Sequence, residues 1–239
     1  MSTTRALIIS DTHNKWPHSL QEPHSAVDIF IHCGDLTQYG GLPSFLRVIE
    51  DENKVNAELK LIIAGNHDVD LDPVWLEKFA EDVDDIAIGA QCLSLLQNQQ
   101  EHGIYHLNEG RYDFTLKDGR SFTVYATPYT PEFGEFMFSY GEDEDRFNDG
   151  PDKVPEGVDV VVSHGPPAFS GLDGYKIDVG VRGEHCGCEK LAKALERVKP
   201  RLCCFGHIHE GCGAAKMDWV SWRLGNASFG DGDTLDAGR

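Results

Sequence analysis

Five short blocks of this sequence combine groups that can hold metal ions: Asp11-Thr12-His13, Gly34-Asp35, Gly65-Asn66-His67-Asp68, Ser163-His164-Gly165 and Gly206-His207-Ile208-His209. Each directly follows a short apolar run, the position at which an α/β sheet places its sites. Together they supply the carboxylates of Asp11 and Asp35, the amide oxygen of Asn66 and the imidazoles of His13, His164, His207 and His209. Such a mixture of oxygen and nitrogen donors suits two transition-metal ions better than calcium or magnesium alone. In Asp11-x-His13 and His207-x-His209 the paired residues share one side of an extended chain, so each pair can converge on one pole of a metal site. Asp35 is the candidate to bridge the poles, and the glycines beside these residues permit tight turns without a Cβ clash. A single Asp-x-His or His-x-His is commonly a polar loop, and Gly-Asn-His-Asp could be a turn capped by its own side chains. Five blocks in order, all at strand ends, point instead to one site.

The elements that must position these blocks are legible from apolar patterning. Residues 6–10, 27–32 and 59–64 are short, β-branched-rich runs that predict buried strands, each ending in polar residues or glycine. Helical spacing covers 42–50, 73–79 with Pro73 at its start, and 189–198 with Pro200 just after. The alternation implies βαβ units and a sheet covered by helices. Residues 103–107, 111–116 and 121–126 predict successive antiparallel strands, with Asp118-Gly119 turning the last pair, and 158–163, 201–205 and 219–224 predict further strands. Pro128 to Pro155 reads as a long loop insertion. Its aromatic residues (Phe133, Phe136, Phe138, Tyr140, Phe147) could form a lid over a flat substrate or cover a sheet edge, the second being expected of most of the rings. Its acidic run, Glu142–Asp145, reads as a solvated face. The whole reads as an α/β protein, residues 1–239 forming one domain of two packed sheets flanked by helices.

Composition narrows the partners. With 40% hydrophobic and 26% charged residues the 239-residue chain is ordinary globular material. Its net charge of −19 disfavours nucleic acid polymers and anionic membrane surfaces as partners. A small phosphate compound stays open, because bound cations neutralise the local field. No apolar run approaches the roughly 20 residues that span a bilayer, and the amino-terminal segment lacks a signal-peptide pattern. The expectation is a soluble, cytoplasmic protein, its oligomeric state open. Seven cysteines, an odd number, read as reduced thiols, and Cys186-Gly187-Cys188 and Cys203-Cys204 lack the usual spacing of a thiolate zinc site.

The ordered set Asp-x-His, Gly-Asp, Gly-Asn-His-Asp, Ser-His-Gly, Gly-His-x-His resembles the calcineurin-like metallophosphoesterase superfamily from residue 11 to residue 209. Ser163-His-Gly-Pro-Pro167, Phe205-Gly-His-Ile-His-Glu-Gly211 and Asn226-Ala-Ser228 resemble more narrowly its metallophosphoesterase-domain-containing branch, relatives of the class III cyclic nucleotide phosphodiesterases. The resemblance implies a four-layered α-β-β-α sandwich of two mixed sheets. It also implies a dinuclear centre of manganese, iron, zinc or nickel, with one ion on Asp11, His13, Asp35 and His209 and the other on Asp35, Asn66, His164 and His207. His67 would contact the phosphate or protonate the leaving oxygen. Protein Ser/Thr phosphatases fit less well: Asp68 stands where they carry glutamate, no arginine follows Asp35, and Gln38 replaces the aspartate that orients their catalytic histidine.

The implied activity is hydrolysis of small-molecule phosphate mono- or diesters, nucleotides among them. Two cations about 3.5–4 Å apart would clamp phosphate oxygens and activate a water. The alternatives are a weakly active nucleotide- or phosphate-binding protein or scaffold, and a pathway-specific metallohydrolase acting on an unusual metabolite. Of the other histidines, His32 reads as a hydrogen-bonded or packed neighbour of the site. His185 reads as a solvated loop residue, and His18, His24, His102 and His106 carry no role. Asp68 reads equally as a residue that orients a ligand or as a turn cap.

Overall fold

The computed structural model describes residues 3–17, 20, 25–80 and 82–229; His18 and His24 lie outside them. The first half contains β1 (Ala6–Ile9), β2 (Val27–His32), α1 (Leu42–Lys54), β3 (Ala57–Ile62), α2 (Pro73–Phe79), α3 (Val83–Gln97) and β4 (Ile104–His106). The second adds β5 (Gly110–Thr115), β6 (Ser121–Thr127), β7 (Thr130–Pro131), β8 (Ser139–Tyr140), β9 (Val160–Ser163), α4 (Glu189–Val198), β10 (Leu202–Cys204), β11 (Gly213–Asp218) and β12 (Arg223–Phe229). Strands β1-β2-β3-β4 form an all-parallel sheet in that order. The second sheet has the order β10-β9-β6-β5 and is parallel except for the β5–β6 hairpin.

The two-residue period of the strands divides their side chains between layers. Ile29, Ile31, Leu59 and Leu61 of the first sheet meet Val124, Ala126, Val162 and Cys204 of the second, which fills the space between the sheets. On the outer face of the first sheet, Ile62, Ala64 and Ile104 pack under Phe45, Val48 and Ile49 of α1 and Cys92 and Leu96 of α3. On the outer face of the second, Tyr125 and Val161 pack under Leu191, Ala192 and Leu195 of α4. The layers are therefore helix, sheet, sheet, helix. Each fully buried aliphatic side chain of this kind contributes about 1.5–3 kcal/mol by leaving water. Among the described residues no helix is long and apolar enough to cross a membrane.

Three expectations are revised. Residues 104–106 do not pair antiparallel with β5: β4 lies parallel to β3, with Ile104 opposite Lys60, as the next strand after the α2–α3 crossover. Helix α3 is absent from the apolar patterning; its capping box of Asp82 and Asp85 starts a segment that is apolar on more than one face and carries Gly89 inside it. A side chain at Gly89 would strike Leu76 and the carbonyl of Asp70, so this glycine allows close packing. The strand expected over 219–224 begins at Arg223, because Asp218 accepts from the amides of Val220 and Ser221 (2.9 and 3.2 Å) and turns the chain there.

Candidate metal centre

β1, β2, β3, β9 and β10 all deliver one of the five blocks just beyond their carboxyl ends, and their loops are stitched to one another. The Asp11 amide donates to the Gly34 carbonyl and the His13 amide to the Asp35 carbonyl, both at 3.0 Å, while the Gly206 amide donates to the His164 carbonyl at 2.9 Å. Asp11, His13, Asp35 and His207 have positive φ (55°, 46°, 53° and 72°), a backbone state that costs a non-glycine residue about 1–3 kcal/mol and clusters at functional sites. A Cβ at Gly34 would lie 2.6 Å from both the Ala64 carbonyl oxygen and His164 Nδ1, so only glycine lets β2, β3 and β9 approach this closely.

Every residue singled out from the sequence arrives in one cluster. On one side His13 Nε2 lies 3.3 Å from His209 Nε2 and 3.6 Å from Asp35 Oδ2, and His209 Nε2 lies 3.6 Å from Asp11 Oδ1. On the other, His164 Nε2 lies 2.9 Å from Asn66 Oδ1 and 3.3 Å from Asp35 Oδ1, and His207 Nδ1 lies 2.7 Å from Asn66 Oδ1. Asp35 thus turns one oxygen to each side. The far nitrogens of two rings are tied to pure acceptors: His13 Nδ1 to the Thr37 carbonyl (3.3 Å) and His164 Nδ1 to the Cys33 carbonyl (2.9 Å). In the neutral ring this puts the proton on Nδ1 and the Nε2 lone pair toward the cluster, the tautomer a metal ligand needs. Two groupings, Asp11–His13–His209 and Asp11–Asp35–His164, can each gather one donor atom per residue within 4.8 Å.

The charges respond to this crowding. Burial opposes ionisation of Asp35, but His164, the His67 amide and His13 outweigh it and hold the carboxyl well below the usual range. Burial likewise opposes ionisation of Asp11, and His209 and His164 overcome it. Burial would lower His164, yet Asp35 lifts it to about 9; His207 is pushed down to about 4 by its partial burial and by His164 beside it. A pocket whose carboxylates hold a proton on a fully buried imidazole has the negative potential that favours a cation.

The surrounding groups settle several open roles. Asp68 is fully buried and accepts from the amides of Leu36 (3.1 Å), Thr37 (2.8 Å) and Gly65 (2.8 Å) and from the Thr37 hydroxyl (2.9 Å). It therefore clamps the loop carrying Asp35 to the loop carrying Asn66. Burial and then Asp35 push it up to about 7, against the pull of those donors. Asp68→Ala strands several buried donors at about 1–3 kcal/mol each. The expected loss is roughly 3–5 kcal/mol, or about 6–20 °C in Tm, checked by thermal unfolding.

His32, buried and pushed down to about 3 by burial, pairs its Nε2 with the Thr12 hydroxyl at 2.9 Å, supporting the Asp11–His13 turn from below. His67 Nδ1 lies 3.0 Å from the backbone carbonyl of Gln38, so a main-chain oxygen performs the orienting task at that position. The His67 ring packs against His13 (4.8 Å between centroids), Phe136 (5.4 Å) and Tyr39 (6.4 Å). Thr37 escaped sequence reasoning because it acts partly through its carbonyl, which leaves no trace in residue type. His185 is not a free loop residue: Asp178, fully buried, holds its Nδ1 at 2.7 Å, and Tyr175 stacks on its ring. Cys188 is buried as the cap of α4, accepting from the Leu191 amide at 3.2 Å, and all seven cysteines are free thiols.

The layered sandwich gathers carboxylates and imidazoles where its parallel strands end, a donor set of the kind that fits divalent metal ions. A family model for calcineurin-like phosphoesterases matches residues 4–211, and the chain belongs to that family. It is similar to metallophosphoesterase domain-containing protein 1 of Homo sapiens, with 32% identity over 219 residues covering 88% of this chain and 62% of that protein. UPF0046 protein T07D4.2 of Caenorhabditis elegans is 29% identical over 199 residues, 78% of this chain and 47% of the relative. Probable rhamnogalacturonate lyase C of Emericella nidulans is 29% identical over 232 residues, 96% of this chain but 19% of the relative. The chain spans less than two thirds of each of these proteins, so the lyase name describes a molecule of which this chain matches a fifth.

Proposed function

We propose that the chain hydrolyses small-molecule phosphate esters with two divalent metal ions. The observation that carries the reading is Asp35, whose Oδ2 faces His13 and whose Oδ1 faces His164, as a bridging carboxylate must. One ion would lie on Asp11, His13, Asp35 and His209, the other on Asp35, Asn66, His164 and His207. The donor set fits: carboxylate, amide and neutral imidazole suit manganese, iron, zinc or nickel, and availability decides among them. When bound, such ions polarise phosphate oxygens and supply an activated water.

The chain's own residues do the rest. Asp35 fixes the spacing of the two poles. A carbonyl oxygen only accepts, so His67 presents an Nδ1 proton to Gln38 and is left with Nε2 for the phosphate or the leaving oxygen. The ring contacts with His13, Phe136 and Tyr39 keep the imidazole from rotating away.

Protein stripped with a chelator, dialysed and reloaded with manganese tests the reading. Cleavage of an aryl phosphodiester should vanish on stripping and return on reloading, with metal content near two per chain by mass spectrometry. Two metals per chain with no turnover on a panel of mono- and diesters would make this a phosphate-binding protein instead.

A further inference from the structure

Two exposed aromatic rings contact His67 and a third lies against one of them, and large exposed rings mark contact sites when they gather. Tyr39 is 79% exposed, Phe133 76% and Phe136 37%; Phe136 packs on His67, Phe133 lies parallel to Phe136 (6.5 Å, 7°), and Tyr39 contacts His67 from the loop after β2. Other rings of the same segment are used differently: Phe138, Tyr140 and Phe147 are buried in the two outer cores.

The segment is held firmly at its base. β7 and β8 pair, with the Thr130 amide donating to the Phe138 carbonyl and the Glu132 amide to the Tyr140 carbonyl, both at 2.9 Å. The Phe138 amide donates to Asp72, buried at the start of α2, at 2.8 Å. Thr130 packs so closely on Gly165 that a Cβ there would come within 3.1 Å of its methyl group. The tip, residues 132–136, is thus an exposed aromatic ledge fixed relative to His164 and His67. The backbone that carries Tyr39 is held as well, since the Gly40 amide donates to the Thr37 hydroxyl and the Gly41 amide to Asp70.

Resting on the hydrolase reading above, we propose that Phe136 and Phe133, with Tyr39, form a stacking platform for a planar ring on the leaving-group side of the ester, and so select substrates bearing a nucleobase or aryl group. Where His67 acts on the leaving oxygen, its ring contacts with Phe136 and Tyr39 put the platform on that side of the phosphate. Stacking is sequence-tolerant and works for any π-face. The platform's own loop carries Glu132 and Glu135, both exposed, so the ring-bearing portion should carry no further negative charge and the phosphate under attack should be the only anionic group.

Manganese-loaded protein is titrated calorimetrically with benzylphosphonate and with cyclohexylmethylphosphonate, which share the phosphonate and the carbon count and differ in planarity. Wild-type protein should bind the benzyl compound about tenfold more tightly, and the Phe133→Leu/Phe136→Leu double variant, folded by its Tm, should bring the ratio near one. Equal binding of both compounds by wild-type protein, or an unchanged ratio in the variant, overturns the platform and leaves the hydrolase reading standing. Binding of neither compound overturns the phosphate site and the platform together.

Discussion

Asp35→Ala is expected to lower kcat/KM for a phosphodiester by at least about 10³-fold and to reduce the metal content from about two to below one per chain. The reasoning is geometric. Removing a residue that only orients a ligand typically costs 10–100-fold, whereas Asp35 itself offers one oxygen to each side of the cluster, so on the proposed two-ion reading its loss would remove a donor from both ions at once. It also removes the carboxylate that holds His164 up near 9 and accepts the His67 amide at 2.8 Å. Folding should survive at a cost, because the His67 amide loses its acceptor and His164 loses the carboxylate that favours its proton, while the Asp68 clamp between the two loops persists. Activity and metal content are measured on the same preparation, with circular dichroism as the control. Retained turnover with two ions bound would remove Asp35 from the centre.

Much of this site was legible in the chain because its signals are short. A carboxylate or imidazole one or two residues past an apolar strand can be read without knowing the fold, and parallel strands then carry such blocks to one edge. What could not be read depends on which strand meets which. Residues 104–106 have strand patterning, but nothing in Ile-Tyr-His says whether the partner is β3 or β5; the α2–α3 crossover decides it. Helix α3 was hidden because Gly89 and apolar residues around its circumference blur the helical period, and only its contact with Leu76 and Asp70 explains the glycine.

β11 was hidden for a related reason: Gly213-Ala-Ala-Lys-Met-Asp218 has no β-branched residue, and its strand character comes from pairing with β12. Contacts made through the backbone are silent as well. The carbonyls of Cys33, Thr37 and Gln38 hold His164, His13 and His67, and any residue type could have supplied them. At position 38 the missing aspartate side chain therefore matters less than its replacement suggests, since the atom that orients His67 belongs to the main chain.

His67→Gln is expected to lower kcat by about 10²–10⁴-fold while KM changes little and metal content stays at two per chain. The His67 side chain makes no hydrogen bond to the proposed ligands and only packs its ring on His13; its amide bonds to Asp35, and that bond survives a side-chain change. Its imidazole is tied to Gln38 on one nitrogen and packed by three rings, which leaves Nε2 for the proposed role at the leaving oxygen. Proton donation matters more for a poor leaving group than for a good one. The loss should therefore be large for an alkyl phosphodiester and at least about tenfold smaller for a 4-nitrophenyl ester, whose phenolate departs without a proton. A loss of equal size for both esters would assign His67 to charge stabilisation at the phosphate, where the demand is the same whatever group leaves. No loss for either would mean that the ring serves packing alone.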